Sequence, residues 1–257
     1  MKYRPIKERL RSGARLNGCW IESFSPIAAE IMAMTGYDTA MIDLEHGPGG
    51  CLEAVSIMQA IHNQACAPLI RATSANMADI KRILDIGPSG IMIPNIRSHI
   101  EAQEAVAACR YGPEGTRGAA PGIIRGTGYG KDVSGYIEWM QNEFLIIGQV
   151  ESASAVGQID EIAGVDGLDM VFIGPADLSA SLGALGNFDS EKFISAFEVI
   201  ERSTLAAGKW LGTIPFPGWD ANRLYGNGHH LVISGVDTLL LRQAAENDLD
   251  VLRKAGR

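Results

Sequence analysis

Eight short apolar runs recur along this chain, and stretches with helical periodicity stand between them. Strands are expected at 18–21, 39–43, 68–71, 90–94, 144–150, 170–173, 210–213 and 231–234, and helices at 26–35, 52–63, 77–85, 100–110, 155–163, 191–207 and 221–227. Alternating strand and helix builds a parallel sheet, because each return to the same end of the sheet needs a crossover. Eight such units in 257 residues match an α/β fold, the closed (β/α)8 TIM barrel, which takes roughly 250 residues. A doubly wound open sheet is the competitor. It would carry a glycine-rich dinucleotide turn after its first strand, and GCWIESFSP is not one. The expectation is a single barrel domain over 1–257 with an N-terminal helix and an inserted Gly-rich stretch at 111–132, YGPEGTRGAAPGIIRGTGYGKD. Irregular stretches of that length are commonly lids or binding loops, so this one is expected to shape substrate choice.

In such a barrel, function gathers at the C-terminal ends of the strands. Asp43 and His46 follow the second strand, Arg71 ends the third, Gln149 and Glu151 end the fifth, and Asp177 follows the sixth. Glu151 and Asp177 are candidate metal ligands. Two carboxylates without His or Cys nearby suit a hard cation, Mg²⁺ or Mn²⁺, that keeps water or substrate oxygens in its other positions. Co²⁺ and Zn²⁺ are alternatives. The plainer reading has both residues capping helices.

His46, in DLEHGPGG, is the candidate general base, because the ordinary imidazole pKa lies near working pH. Asp43 or Glu45 would orient it, and the glycines would allow close substrate approach. Otherwise it is a turn histidine. Arg71, in PLIRA, can grip a carboxylate with two parallel hydrogen bonds, or pair with Glu45 or Glu151. Gln149 shares a strand face with Glu151 and either contacts a keto oxygen or fills the barrel. Trp20 lines the site from the first strand or simply packs. The amides at Ala176 and Asp177, in PADLSASLG, stand at a helix start where an anion is welcome. Asp85, in LDIGPSG, either caps locally or completes a dyad with His46.

The formal charge of −8 argues against nucleic acid and anionic membrane as partners. Cys19, Cys51, Cys66 and Cys109 show no CxxC spacing, which suits reduced thiols in the cytoplasm. The N-terminal MKYRPIKERLRSG lacks the apolar core of a secretory signal, and no apolar run reaches membrane-spanning length. His62 and His99 are expected at the surface, and His229 and His230 in structural roles. Lys209 precedes the seventh strand, at its N-terminal end, and no lysine sits where a Schiff base would form.

The motifs DLEHGP, PLIRA, LDIGPSGIMIP, RYGPEGTRG, QVES, VDGLDMVFIGPADLSASLG and GVDT together resemble those of the HpcH/HpaI family, the class II metal-dependent pyruvate aldolases, over nearly the whole chain. Within it they are similar to the 4-hydroxy-2-oxoheptanedioate and 2-keto-3-deoxy-sugar-acid aldolases, with DLEH where DGEH is expected. The resemblance implies reversible retro-aldol cleavage of a 4-hydroxy-2-oxo acid to pyruvate and an aldehyde. It implies Glu151 and Asp177 as metal ligands, Arg71 on the pyruvyl carboxylate, and His46 as base with Asp43 and Asp85 around it. Gln149 and the turn at Ala176 and Asp177 would contact pyruvate. It also implies a homo-hexamer, a trimer of dimers, in which Asp85 acts across an interface. Three rivals remain: an acyl-CoA lyase of the citrate-lyase β type, for whose nucleotide no basic cluster is evident; an oxaloacetate decarboxylase using the same enolate site; and a non-catalytic keto-acid-binding barrel, which would not need a base beside a metal.

Overall fold

The computed structural model of the protein describes residues 5–255. Its strands are β1 (Leu16–Ile21), β2 (Thr39–Asp43), β3 (Ala67–Arg71), β4 (Gly90–Ile93), β5 (Leu145–Val150), β6 (Met170–Ile173), β7 (Trp210–Thr213) and β8 (Leu231–Val236). They pair in sequence order, all parallel, and β8 closes on β1. The expected (β/α)8 TIM barrel is the fold. Its helices are α1 (Ile6–Arg11), α2 (Pro26–Met34), α3 (Cys51–Ala60), α4 (Met77–Ile86), α5 (His99–Cys109), α6 (Val133–Asn142), α7 (Ala153–Val156), α8 (Ile159–Ala163), α9 (Pro175–Ser181), α10 (Glu191–Ala206), α11 (Ala221–Gly226) and α12 (Asp237–Ala255).

Strand side chains alternate in two layers. Leu16, Trp20, Met41, Leu69, Met92, Leu145, Ile147, Met170, Phe172, Leu231 and Ile233 form one buried cluster, the barrel interior. Residues of opposite parity, such as Ile21, Ile42, Ile70, Ile146 and Ile173, join the larger cluster under the helices. Ile6 and Leu10 of α1 belong to the inner cluster, so α1 plugs the N-terminal mouth. Lys7 pairs with Asp169 at 2.7 Å at that same end. Polar N-caps start several helices: Ser25 accepts from the Ala28 amide, Asn76 from Ala78, Ser98 from Glu101 and Ser190 from Phe193.

Three features depart from the sequence expectation. The helix expected at 155–163 is two, α7 and α8, because Gly157 and Gln158 interrupt it. Two helices stand outside the expected set: α12 after β8, and α6 after the Gly-rich insertion, which itself contains the short 3-10 turn Arg125–Thr127 and a bridge between Tyr111 and Arg117. The insertion also lies at the N-terminal end of the barrel. It leaves from the end of α5 and returns before β5, and Arg125 donates to the Ile86 carbonyl at the end of α4, 2.6 Å away. It is therefore far from the C-terminal mouth of its own barrel, and it does not shape that mouth within one chain.

The last helix behaves differently from the rest. Among its described residues only Asp237 is buried, while Leu239, Leu240, Leu241, Leu249, Val251 and Leu252 are exposed. Among the described residues no helix is long and apolar enough to cross a membrane.

Candidate active site

The inward positions that follow the apolar layer are polar. Glu22 comes two residues after Trp20, Asp43 two after Met41, Arg71 two after Leu69, and Gln149 and Glu151 two and four after Ile147. The strand period of two places all of them at the C-terminal mouth.

Arg71 is the fixed point of this layer. Its Nε donates to Asp43 Oδ1 at 2.9 Å and its Nη2 to Asp43 Oδ2 at 2.5 Å. Its Nη1 lies 3.1 Å from Glu45 Oε2. The guanidinium stands 4.5 Å over the ring of Trp20, whose edge meets Phe172. A guanidinium has five N–H donors. Three are engaged by these acids, so about two remain for a ligand. The expected pairing with Glu45 is present, Asp43 adds a stronger one, and Trp20 supports Arg71 rather than offering its face to solvent.

Glu151 is the buried member of the metal pair, and Asp177 is exposed, in the first turn of α9. Glu151 Oε1 accepts from the Asn95 amide at 2.9 Å, and Oε2 accepts from the Gln149 side chain. A Cβ at position 174 would collide with Oε2, which accounts for Gly174. Burial, then the neighbouring charges of Asp177 and Glu45, pushes the Glu151 carboxyl up to about 7. Neither Glu151 nor Asp177 has an ion pair among the described residues, and Gln149 Oε1 is buried without a partner. Converging oxygen donors with unrelieved negative charge fit a hard divalent cation. Among the described residues no group of three His, Cys, Asp or Glu gathers as a metal site, so such an ion would keep open positions for water or substrate.

His46 is exposed on the β2–α3 loop. Asp43 orients it through the backbone: Oδ1 accepts from the amides of Glu45 at 3.0 Å and His46 at 3.4 Å. Among the described residues Asp43 acts on His46 through this backbone contact and not through the imidazole. The loop glycines also make room for an aromatic ring. Phe24, with φ at 53°, packs on Gly47 and Gly49, and a Cβ on either would overlap its ring.

Asp85 is not brought to this site in the same chain. It lies near the end of α4, at the opposite end of the barrel, paired with Arg117 at 2.8 Å. The other histidines are structural or peripheral: His229 is buried on Glu201 at 2.8 Å, the His230 ring accepts from the Leu211 amide, and His99 bonds the Glu161 carbonyl. Lys209 bonds the Val165 and Leu168 carbonyls at the N-terminal end. Lys2 lies outside the described residues. Among the described residues no cysteine forms a disulfide.

Four residues of the mouth were missed by sequence reasoning. Asn95 offers only its amide, and Phe24 only its ring. Asp237, at the start of α12, accepts from the amides of Glu22, Ser23 and Thr238 and from the Ser23 hydroxyl, tying the β1–α2 loop to the end of β8. Glu22 carried a readable signal, its parity with Trp20.

The HpcH/HpaI aldolase/citrate lyase family model matches residues 16–244. The chain belongs to that family. It is 38% identical to a hydroxypyruvate/pyruvate aldolase of Delftia acidovorans, over 94% of this chain and 89% of that protein. It is 36% identical to the 2-keto-3-deoxy-L-rhamnonate aldolase of Escherichia coli strain K12, over 98% and 94%. A crystal structure of a HpcH/HpaI aldolase/citrate lyase family protein from Burkholderia cenocepacia superposes with a TM-score of 0.91 at 32% identity, covering 97% of this chain and 99% of that one. As a member of the HpcH/HpaI family aligned nearly end to end with aldolases, the protein is a carbon–carbon lyase of the aldolase kind.

Proposed function

We propose that the protein cleaves a 4-hydroxy-2-oxo acid between C3 and C4, giving pyruvate and an aldehyde, in a reaction assisted by a divalent metal. The observation that carries the metal is Glu151: buried, without an ion pair among the described residues, and raised to about 7 by burial and by Asp177. Glu151 and Asp177 would hold Mg²⁺ or Mn²⁺, and the bound ion would supply Lewis-acid polarisation of the 2-oxo group.

The chain's own residues account for the rest. The N–H groups that Arg71 keeps free grip the pyruvyl end and stabilise the negative charge that grows there as the bond breaks. Asp43 and Trp20 hold that guanidinium in place. His46 takes the C4 hydroxyl proton, directly or through one water. The C3–C4 electron pair moves into the pyruvyl fragment as C4 becomes the aldehyde carbonyl, and His46, directly or through the same water, returns the proton to C3 to give pyruvate. Gln149 keeps Glu151 oriented. The first-turn amides at Ala176 and Asp177 receive the substrate carboxylate.

The whole chain, 1–257, is read as one barrel domain acting in the cytoplasm as a homo-hexamer, a trimer of dimers. The uncovered apolar side chains of α12, with Ile27, Ile31 and Met34 of α2, support association with further copies. Asp85 would act on a neighbouring subunit's site.

Metal-stripped protein reloaded with Mg²⁺ or Mn²⁺ should form aldol product from pyruvate and short aldehydes, and EDTA should abolish it. Turnover unaffected by stripping would contradict the metal, and turnover of acyl-CoA instead would favour the lyase reading.

A further inference from the structure

We infer that Glu22 is a specificity determinant: its carboxylate selects neutral, hydroxylated aldehydes as the released or accepted fragment and disfavours aldehydes that carry their own carboxylate. The inference rests on the aldolase reading and deepens it.

Glu22 stands in a defined place. It follows Trp20 by two residues, on the inward side of the mouth, and the β1–β2 register that pairs Ile21 with Ile42 sets it beside Asp43. Its amide is pinned by Asp237 Oδ1 at 3.0 Å, and the next residue, Ser23, is held by the same carboxylate through its amide and hydroxyl. The loop that presents Glu22 is thus anchored to the opposite edge of the closing seam, between β1 and β8. In a barrel closed in the order β1 to β8, β1 stands across the mouth from β5.

That placement assigns Glu22 to one half of the substrate. The pyruvyl half is held by Glu151 on the β5 side, Asp177 after β6 and Arg71 on β3. A substrate anchored there points C4 and everything beyond it away from β5, toward β1 and the β2 loop, where His46 waits for the C4 hydroxyl. Glu22 is near His46, Arg71, Asp43 and Asp237 in the electrostatics of the mouth. Unlike Asp43 and Glu45, it has no ion pair among the described residues. A half-buried carboxylate free of a cation accepts hydrogen bonds from hydroxyl groups and repels a second carboxylate.

The test compares aldehydes of matched length, glycolaldehyde with glyoxylate and 4-hydroxybutanal with succinic semialdehyde, in wild-type protein and in Glu22→Gln and Glu22→Ser. Wild type should favour the neutral member of each pair by about tenfold or more in kcat/KM, and both variants should bring the ratio toward one. The ratio is the readout, so a general loss of activity does not imitate it. Metal-dependent exchange of the pyruvate methyl protons is followed in parallel. Exchange present with no wild-type preference, or with a preference that both variants retain, overturns the role of Glu22 alone. No exchange in wild type overturns the aldolase reading, and this inference with it.

Discussion

Asp43 holds Arg71 through two parallel hydrogen bonds, 2.9 and 2.5 Å long, across the paired ends of β2 and β3. The pair is buried, with the Asp43 side chain wholly so. Removing Asp43 leaves the buried guanidinium with Glu45, at 3.1 Å, in place of its bidentate partner. Asp43→Ala should therefore lower stability by about 3–5 kcal/mol, read by thermal or urea unfolding. Arg71→Lys keeps the charge but loses the fork. It should cost about 100-fold in kcat/KM while unfolding closer to wild type than Asp43→Ala does.

Phe24 and Gly49 form a second fitted pair. A methyl group at position 49 overlaps the Phe24 ring, and that ring cannot move freely because the β1–α2 loop is tied to Asp237. Gly49→Ala should cost about 1–3 kcal/mol of stability and lower kcat by displacing His46. Combining it with Phe24→Leu should recover part of both losses, since the two sites are in contact. Strict additivity in this double-mutant cycle would count against the packing account.

Glu151 titrates near pH 7 because burial, and then Asp177, resist its charge. Its folded pKa is raised, so it gains a proton as the pH falls through about 7, and a protonated carboxyl no longer ligates. Mg²⁺ or Mn²⁺ affinity should drop about tenfold per pH unit below 7 and level off above it. Calorimetry in buffers of different ionisation heat should find close to one proton released on metal binding at pH 6 and almost none at pH 8.5. Glu151→Gln should abolish both the release and most of the affinity.

The exposed leucines of α12 predict the assembly. Leu241→Asp with Leu252→Asp should lower the oligomeric state seen by sedimentation while each barrel keeps its secondary structure. An unchanged state would show that α12 lies outside the contact between copies.

Strand ends were the most legible part of the sequence. Asp43, Arg71 and Glu151 each close an apolar run, so period-two alternation alone points them into the mouth. Glu22 obeys the same rule but follows only four expected strand residues, and its partner, Asp237, is 215 positions away. The position of Asp85 was not legible from local pattern: it stands beside glycine and proline like a loop residue, yet it belongs to α4, which runs back to the far end of the barrel. The same direction of travel carries 111–132 away from the site. Phe24 was invisible because the room it needs is written as glycines 23 and 25 residues later, where they read equally well as substrate clearance.

The most direct measurement is metal-dependent exchange of pyruvate methyl protons with deuterium, followed by NMR, in wild type, His46→Ala and Glu151→Gln. The account predicts exchange in wild type that disappears with EDTA, returns with Mg²⁺ or Mn²⁺, and falls by orders of magnitude in both variants. Exchange that persists without metal, or that both variants retain, would contradict it.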